Sequence, residues 1–370
     1  MYMGKRRLAG VCAALISAIS ILAGAAPVYA APVDGTAVQP QTVEALTVDQ
    51  AVQAAISANN ELKNLGDNYT ISDEKLADTK QQYREASEFN ELITLSTQIM
   101  QAEAALSQNN QSVIVTQEKL RMSIMNFFAT VISAENALAI YDQSLAMQKK
   151  QLDIAKVKNS LGLMSSVDYQ SQVNTYNQKT ASRESQTLAI NNAFVSLNKT
   201  MGVSLNKKYT LMLNLQYQPL GDVNLTGITA TAMATDPSVV TQQSNVDVAK
   251  YKLDHFDPTV NTQDTETTLQ LNLDMAERTL YETQRAAELK VMNAYNKIKE
   301  QEVQYSNATL ALEALMNQLP VKQTQLELGK ITQLDLDSFQ AQITQQQESL
   351  RSLIVSHEIN VLEFKNPSTL

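Results

Sequence analysis

Apolar residues recur at every seventh position through two long stretches of the chain. The first series is Ile124, Val131, Leu138, Leu145 and Leu152, and a second series three residues later includes Phe127, Ala134, Tyr141 and Ala155. Two apolar positions per heptad are the pattern of a coiled coil. Over roughly 35 residues it predicts a helical segment about 50 Å long, which is long for the core of a globular protein.

The second stretch repeats the first at a constant distance. Adding 167 to each position of the first series gives Val291, Ile298, Tyr305, Leu312 and Leu319. Further upstream, residues 59–76 match residues 236–253 with a shift of 177, so the second copy is ten residues shorter, between Ala77 and about Asn110. We interpret the chain as an internal duplication.

A short motif marks the same place in each copy. The stretches "SLGLMSSVDYQ" (160–170) and "ELGKITQLDLD" (327–337) each contain a glycine, then Ser or Thr three residues later, then Asp three residues after that. Glycine adopts the left-handed conformation that often ends a helix, and Ser or Thr commonly caps the next helix. The motif predicts a hairpin tip in each copy, formed by Gly162, Ser165 and Asp168 and by Gly329, Thr332 and Asp335.

The segment between the copies has a different pattern. Residues 209–217 alternate between apolar and polar side chains, which predicts a half-buried strand. The proline and glycines within residues 219–227 predict an irregular linker, and helix resumes at Asp236, an N-cap followed by a first-turn proline.

These patterns predict a division of the chain into six parts. They are a signal peptide (1–30), an N-terminal linker (31–45), a first helical-hairpin repeat (46–203), a strand-containing linker (204–235), a second helical-hairpin repeat (236–365) and a tail (366–370).

The amino terminus has the pattern of a cleaved secretory signal. Three basic residues at positions 5–7 precede an apolar stretch from Leu8 to Ala26 and the small-residue site "VYA", so we predict export and cleavage after Ala30. An uncleaved anchor helix is the alternative. Cys12 lies inside this segment, so the mature chain has no thiol, and no later apolar run suggests a membrane-spanning helix.

Charge and residue types exclude several classes of function. The signal contains three of the 29 basic residues and no acid, so the mature net charge is 26 minus 38, or −12, which disfavours nucleic acid as a partner. The histidines are His255 and His357, and no phosphate-binding loop or nucleophile motif is present. We expect no catalytic residue, cofactor or metal site, and we interpret "LDHFDP" around His255 as a turn.

Taken together, these features resemble the TolC-like outer-membrane efflux proteins. The resemblance rests on the signal peptide, the duplicated long-helix hairpin, the stretch "LTVDQAVQAAISANNELK" (46–63) and the tip motif of each copy, and it covers about Leu46 to Phe364. In that family three protomers pool their helices into a hollow α-barrel across the periplasm. The resemblance implies an all-α fold of duplicated coiled-coil hairpins, with a short β segment between the halves, in a homotrimer.

In the same family the hairpin tips form the inner entrance and meet a membrane-fusion adaptor. By resemblance, the adaptor contacts here are Gly162, Leu163, Gly329 and Lys330. The family also supplies a pump in the inner membrane as the energy source for transport.

Family members close the entrance with acidic residues and ion pairs, and by resemblance the entrance acids here are Asp168, Asp335 and Asp337. For Asp168 and Asp335 the simpler interpretation is helix capping, because both lie at the third helical position. The pattern also departs from the family. Ile331 stands where some relatives have a gating arginine, and Ser338 stands where a further acid is expected.

A larger departure concerns the membrane. In the family each half contributes two strands of the outer-membrane β-barrel, between its first helix and its coiled-coil helix. Here that interval in the first copy, residues 77–109, is polar and helical in pattern, and in the second copy Leu269, Leu271 and Leu273 allow one short strand. The sequence predicts a shortened relative with no evident membrane barrel and with indirect contact to the membrane.

The predicted function is an exported tunnel of the cell envelope in a tripartite efflux or type I secretion-like system. It would dock to the adaptor through its tips and guide substrates outward. The alternative is an exported structural coiled coil, a spacer or an adaptor without a channel.

Overall fold

The computed structural model describes residues 44–260 and 264–370, so the predicted signal peptide lies outside the described residues. In chain order the elements are β1 (Glu44–Thr47), α1 (Val48–Ala58), α2 (Asn60–Glu85), α3 (Phe89–Ser160), α4 (Ser166–Met201), β2 (Tyr209–Met212), α5 (Leu225–Thr235), α6 (Pro237–Asp254), α7 (Glu266–Glu327), α8 (Gln333–Lys365) and a 3-10 helix (Pro367–Thr369). The predicted all-α class is confirmed.

The order of elements repeats, as the internal duplication predicts. The starts of α1 and α5, at residues 48 and 225, differ by 177, and the starts of α4 and α8, at 166 and 333, differ by 167. The ten-residue difference arises within the first long helix, since α3 has 72 residues and α7 has 62. At 1.5 Å per residue these helices are about 110 Å and 90 Å long.

Equivalent residues form the buried centre of each hairpin. Ile124, Val131 and Leu197 are fully buried in the first, and their counterparts Val291, Ile298 and Phe364 are fully buried in the second. A small residue of the preceding short helix covers each set, Ala55 from α1 in one case and Ala232 from α5 in the other. The heptad series therefore predicted the helix faces that pack.

The segment between the halves is partly as predicted. β2 pairs in parallel with β1, with Glu44 opposite Tyr209, and burial alternates along residues 209–217. The prediction of an irregular linker up to Asp236 was wrong, because residues 225–235 form α5. Its N-cap Asn224 accepts a hydrogen bond from the Gly227 N–H at 3.0 Å, so this glycine lies in the first turn of a capped helix.

The short strand considered at Leu269–Leu273 is also absent, because these residues lie in the first turns of α7. The Oγ1 of Thr265 caps the helix by accepting from the Thr268 N–H at 3.2 Å. Leu269 and Leu273 are buried whereas Leu271 is 54% exposed. Leucines four residues apart share one face of a helix as well as of a strand, so the alternation did not discriminate between them.

One described helix is apolar enough to cross a membrane by length and composition, which the sequence analysis did not identify. It is α3, whose most apolar stretch has a mean hydropathy of 1.3 and is 22% buried within the protomer. Several of its apolar residues, including Ile124, Met125 and Phe128, belong to the buried clusters of the hairpins. Composition alone therefore gives α3 no membrane role.

Candidate functional site

The first hairpin tip is a helix end closed by two backbone hydrogen bonds. Gly162 has φ of 72°, the left-handed conformation that a side chain strains. Its N–H donates to the Asn159 carbonyl at 3.0 Å, and the Leu163 N–H donates to the Lys158 carbonyl at 2.8 Å. This pair of bonds is the Schellman ending, which satisfies carbonyls that the helix leaves free.

The second tip has the same geometry. Gly329 has φ of 68°, its N–H donates to the Leu326 carbonyl at 2.9 Å, and the Lys330 N–H donates to the Gln325 carbonyl at 2.8 Å. A Cβ placed on either tip glycine would have no neighbouring atom within 4 Å. The glycines are therefore required for their backbone conformation and not for close packing.

Both tips present apolar side chains to solvent. Leu163 is 74% exposed and Val167 is 79% exposed at the first tip. Leu161 and its counterpart Leu328, which directly precede the glycines, are about two-thirds exposed, at 67% and 64%. The sequence analysis named Leu163 but missed the other three, although the equal spacing of Leu161 and Leu328 from the glycines was a usable signal.

The acids of the motif are engaged in helix caps. Ser165 Oγ accepts from the Asp168 N–H at 3.0 Å and donates to Asp168 Oδ2 at 2.7 Å. At the second tip, Thr332 N–H donates to Asp335 Oδ2 at 2.8 Å, and the Asp335 N–H donates to Thr332 Oγ1 at 3.2 Å. The bond from the Thr332 N–H, with a further bond from its hydroxyl, lowers the pKa of the Asp335 carboxyl.

Asp337 has a different role from the two capping acids. Lys150 Nζ of α3 lies 2.7 Å from Asp337 Oδ2 of α8, and Gln333 Nε2 donates to the other carboxylate oxygen at 2.7 Å. The ammonium group, followed by the Gln333 bond, lowers the pKa of Asp337. Asp337 is eight residues from Gly329 and Lys150 is twelve from Gly162, so this ion pair joins the two hairpins close to their tips.

Lys150 is the residue of this site that the sequence could not reveal. It is 187 residues from Asp337 along the chain, and no motif relates the two. Their contact depends on α3 and α8 lying side by side. Helix packing between the hairpins, and not local chemistry, therefore produces the ion pair.

The surroundings of His255 agree with a turn. His255 follows α6, its Nδ1 lies 2.9 Å from the Tyr251 carbonyl oxygen, and its ring stacks on the Tyr251 ring with centroids 4.1 Å apart. Asp257 accepts from the Thr259 N–H at 2.8 Å. Within residues 44–260 and 264–370 no group of three or more His, Cys, Asp or Glu side chains is placed to hold a metal ion.

Comparisons by sequence and by structure give different results. No family model and no curated protein sequence matches the chain. Solved structures do match it: the outer membrane protein VceC of Vibrio cholerae shares 11% identity over 87% of this chain and 97% of its own, with a TM-score of 0.62. The Campylobacter jejuni CmeC outer membrane channel shares 12% identity over 87% of this chain and 85% of its own, with a TM-score of 0.61.

A third solved structure also matches the chain. A membrane protein from Pseudomonas aeruginosa shares 12% identity over 92% of this chain and 96% of its own, with a TM-score of 0.62. The chain therefore has the fold of these outer-membrane proteins, and its resemblance to the TolC-like outer-membrane efflux proteins is confirmed at the level of the fold.

Proposed function

We propose that the chain is an exported tunnel component of a tripartite efflux or type I secretion-like system. Three copies form a tube of helices in the cell envelope, and the hairpin tips dock to a membrane-fusion adaptor that links the tube to an inner-membrane pump. Gly162, Leu163, Gly329 and Lys330 are the proposed contact positions. In this role the chain needs no catalytic residue, because the pump drives transport and the tube only guides the substrate.

The observation that carries the proposal is that the two hairpins contact each other through α3 and α8, whereas the equivalent faces of α7 and α4 are exposed. Met125 of α3 packs with Val355 of α8, and the two are 4% and 7% exposed. Shifting these positions by 167 residues gives Met292 of α7 and Leu188 of α4, which are 40% and 54% exposed. The equivalent interface therefore lacks its partner within one protomer.

A second copy of the chain can supply that partner. If α7 of one protomer packs on α4 of the next as α3 packs on α8, each protomer makes a head-to-tail contact, and such contacts form a ring when the rotation between copies closes. Val303 and Leu310, both 61% exposed on α7, extend the apolar face. Ring closure with three copies is the arrangement that the family resemblance implies, and each ring then contains six hairpins.

The polar contacts of the two interfaces differ in a way that can be tested. Within the protomer, Asn136 Nδ2 donates to Glu348 Oε2 at 2.7 Å, and the Lys150–Asp337 ion pair lies nearer the tips. The shifted positions between protomers hold Val303 with Ala181 and Asn317 with Gln170. In the proposed tube, the charged contact near the entrance therefore lies within each protomer, with uncharged contacts between protomers.

The entrance acids are assigned from this arrangement. Asp337 stabilises the entrance through Lys150, whereas Asp168 and Asp335 shape the tips as helix caps and place negative charge beside the opening. Ser165 and Thr332 are the corresponding caps.

Chemical cross-linking tests the assembly directly, because Cys12 lies in the predicted signal and residues 31–370 contain no other cysteine. The double variant Asn317→Cys with Gln170→Cys, treated with a short bis-maleimide, is expected to give covalent chains of up to three protomers on a denaturing gel. The matched control, Lys150→Cys with Asp337→Cys, is expected to react within one chain and stay at the size of a monomer.

Light scattering on residues 31–370 gives the second measurement. A mass of three chains supports the tube, whereas a stable dimer or monomer that also lacks the intermolecular cross-link contradicts it and favours the structural spacer.

Docking is tested at the tips. Gly162→Val and Gly329→Val strain the left-handed helix ends by about 1–3 kcal/mol. Both variants are expected to lose a larger fraction of their cross-linking to a membrane-fusion adaptor of the same organism than of their folded population. Gly66→Ala, in an open position of α2, is the matched control. Adaptor cross-linking equal to wild type in both tip variants would show that the tips are not the docking site.

A further inference from the structure

A buried polar cluster lies where the segment between the halves crosses the second hairpin. His357 of α8 is 1% exposed, and its Nε2 atom has no hydrogen-bond partner among the described residues. The nearest carboxylate oxygen is Glu302 Oε1 of α7, 3.7 Å from that Nε2. A buried polar atom without a partner costs stability, so its retention needs a reason.

The same glutamate holds the crossing segment, residues 213–224, which we call the waist segment. Glu302 Oε1 accepts from the Leu220 N–H at 2.7 Å, and Glu302 Oε2 accepts from Lys299 Nζ at 2.8 Å. Burial disfavours ionisation of Glu302, but these two bonds outweigh it and lower the pKa of its carboxyl. Glu302 is therefore the negative group that faces both the waist segment and the imidazole.

An aromatic contact completes the cluster. The ring of Tyr217, in the waist segment, stacks on the ring of Tyr305 with centroids 3.6 Å apart. It also lies against His357, with centroids 5.0 Å apart. Glu302 and Tyr217 thus face the imidazole, Lys299 and Tyr305 of α7 contact these two groups, and Glu358 is the next residue of α8.

The first hairpin keeps the acid of this cluster, because Glu302 corresponds to Glu135, but not the residues around it. The positions that correspond to His357, Tyr305 and Lys299 in the first copy, 167 residues earlier, are Ile190, Leu138 and Ile132. The first hairpin therefore has apolar residues in place of the imidazole, the tyrosine and the lysine, and these three groups are specific to the hairpin that the waist segment crosses.

The waist segment also touches the first hairpin. Leu213 and Leu215 pack against the cluster of Met125, Val355 and Ile359, between α3 and α8. The waist segment therefore contacts both hairpins, so a change in how firmly Tyr217 and Leu220 are held affects a segment that links the two.

We propose that His357 and Glu302 form a proton-operated clamp that holds the waist segment more firmly on the second hairpin at acidic pH. Histidine side chains in general change charge between pH 5 and 8. A protonated imidazole directs an Nε2–H donor at Glu302 Oε1, and the resulting charge-assisted hydrogen bond fixes the carboxylate that receives the Leu220 N–H. When the imidazole is neutral, it offers Glu302 at most an uncharged Nε2–H donor, so the carboxylate that receives the Leu220 N–H is fixed less firmly.

Hydrogen exchange measured by mass spectrometry on the full mature chain tests the clamp. After correction for the intrinsic pH dependence of exchange, amides of residues 217–222 are expected to exchange about threefold to tenfold more slowly at pH 5.5 than at pH 7.5. His357→Gln is expected to remove this dependence. His255→Gln is the matched control, because it removes the other histidine and should leave the dependence intact.

A second measurement keeps the test decisive if His357→Gln does not fold. In His255→Gln the single remaining histidine is His357, so its imidazole signal can be followed by NMR without ambiguity. The clamp is supported if this signal shifts between pH 8 and 5.5 in His255→Gln. It is also expected to shift at a lower pH in the double variant His255→Gln with Glu302→Gln. A signal that stays neutral, or exchange with the same pH dependence in wild type and His357→Gln, overturns it.

Discussion

The two hairpins share one buried layer and differ in the next. The shared layer has the same positions fully buried in both: Ile124, Val131 and Leu197 in the first hairpin, and Val291, Ile298 and Phe364 in the second. One turn nearer the tips, the first hairpin has Ala134, Leu138, Ala189, Ile190 and Ala193, whereas the second has Gln301, Tyr305, Ser356, His357 and Asn360.

This difference shows what each kind of layer requires. An apolar layer needs only suitable volume and shape, so a duplicated framework can keep it with small changes such as Leu197 to Phe364. A polar layer needs partners for its buried donors. Gln301 Nε2 donates to Ser356 Oγ and Asn360 Nδ2 donates to Gln301 Oε1, both at 2.7 Å. The polar layer is therefore more specific and more easily broken by a single substitution.

The largest effect is expected from truncating the shared layer. Phe364→Ala should lower the free energy of unfolding by about 3–5 kcal/mol and Leu197→Ala by about 2–5 kcal/mol, because each leaves a cavity at a fully buried position. Urea unfolding at a fixed chain concentration measures both. Leu205→Ala, at a half-exposed leucine, is the control and should change little. Losses below about 1 kcal/mol in both variants would contradict equivalent cores.

A smaller effect is expected in the layer that differs. Gln301→Ala leaves the Asn360 amide without its acceptor and should cost about 1–3 kcal/mol. The double variant Gln301→Ala with Asn360→Ala reproduces Ala134 and Ala193 of the first hairpin and should cost less than the sum of the single changes. A double-mutant cycle of unfolding free energies measures the coupling, which we expect to be about 0.5–3 kcal/mol. Additive costs would mean that the polar layer is not a connected network.

The smallest effect concerns the ion pair that joins the hairpins near their tips. The pKa of Asp337 is lowered in the folded chain, so its contribution to stability is present above the unfolded pKa of about 3.9 and is lost as pH falls through the folded value. Because Lys150 is more than half exposed, this contribution should be at most about 1 kcal/mol.

Comparing wild type with Lys150→Gln isolates this contribution, since the other carboxylates titrate in both proteins. The difference in unfolding free energy is expected to be full at pH 6 and to shrink as pH falls below the unfolded pKa of about 3.9. An unchanged difference across this range would show that Lys150 does not act through Asp337.

Much of this fold could be predicted from the chain alone, because its determinants are local or periodic. The heptad series fixes which faces of α3 and α7 are buried, and the duplication is visible as a constant shift of 167 residues. The tips were predictable for a local reason: glycine tolerates the left-handed conformation, and a hydroxyl three residues later can cap the next helix.

The failures have a physical reason as well. Residues 225–235 contain a glycine and were taken as linker, but they form α5 because Ala232 packs on the second hairpin. The leucines from Leu269 to Leu273 fit two periodicities, and the helix differs from the strand in turning Leu271 away from the buried Leu269 and Leu273. In both places a tertiary contact decided between local alternatives of similar energy.

The sequence by itself determined the helical class, the duplication and the two capped tips, since each depends on residues close together or evenly spaced. Only the tertiary structure decided that α3 lies beside α8, which creates the Lys150–Asp337 pair, leaves Met292 and Leu188 uncovered and places His357 under the waist segment. Such contacts join residues far apart in the chain, and their energies exist only once the helices have packed.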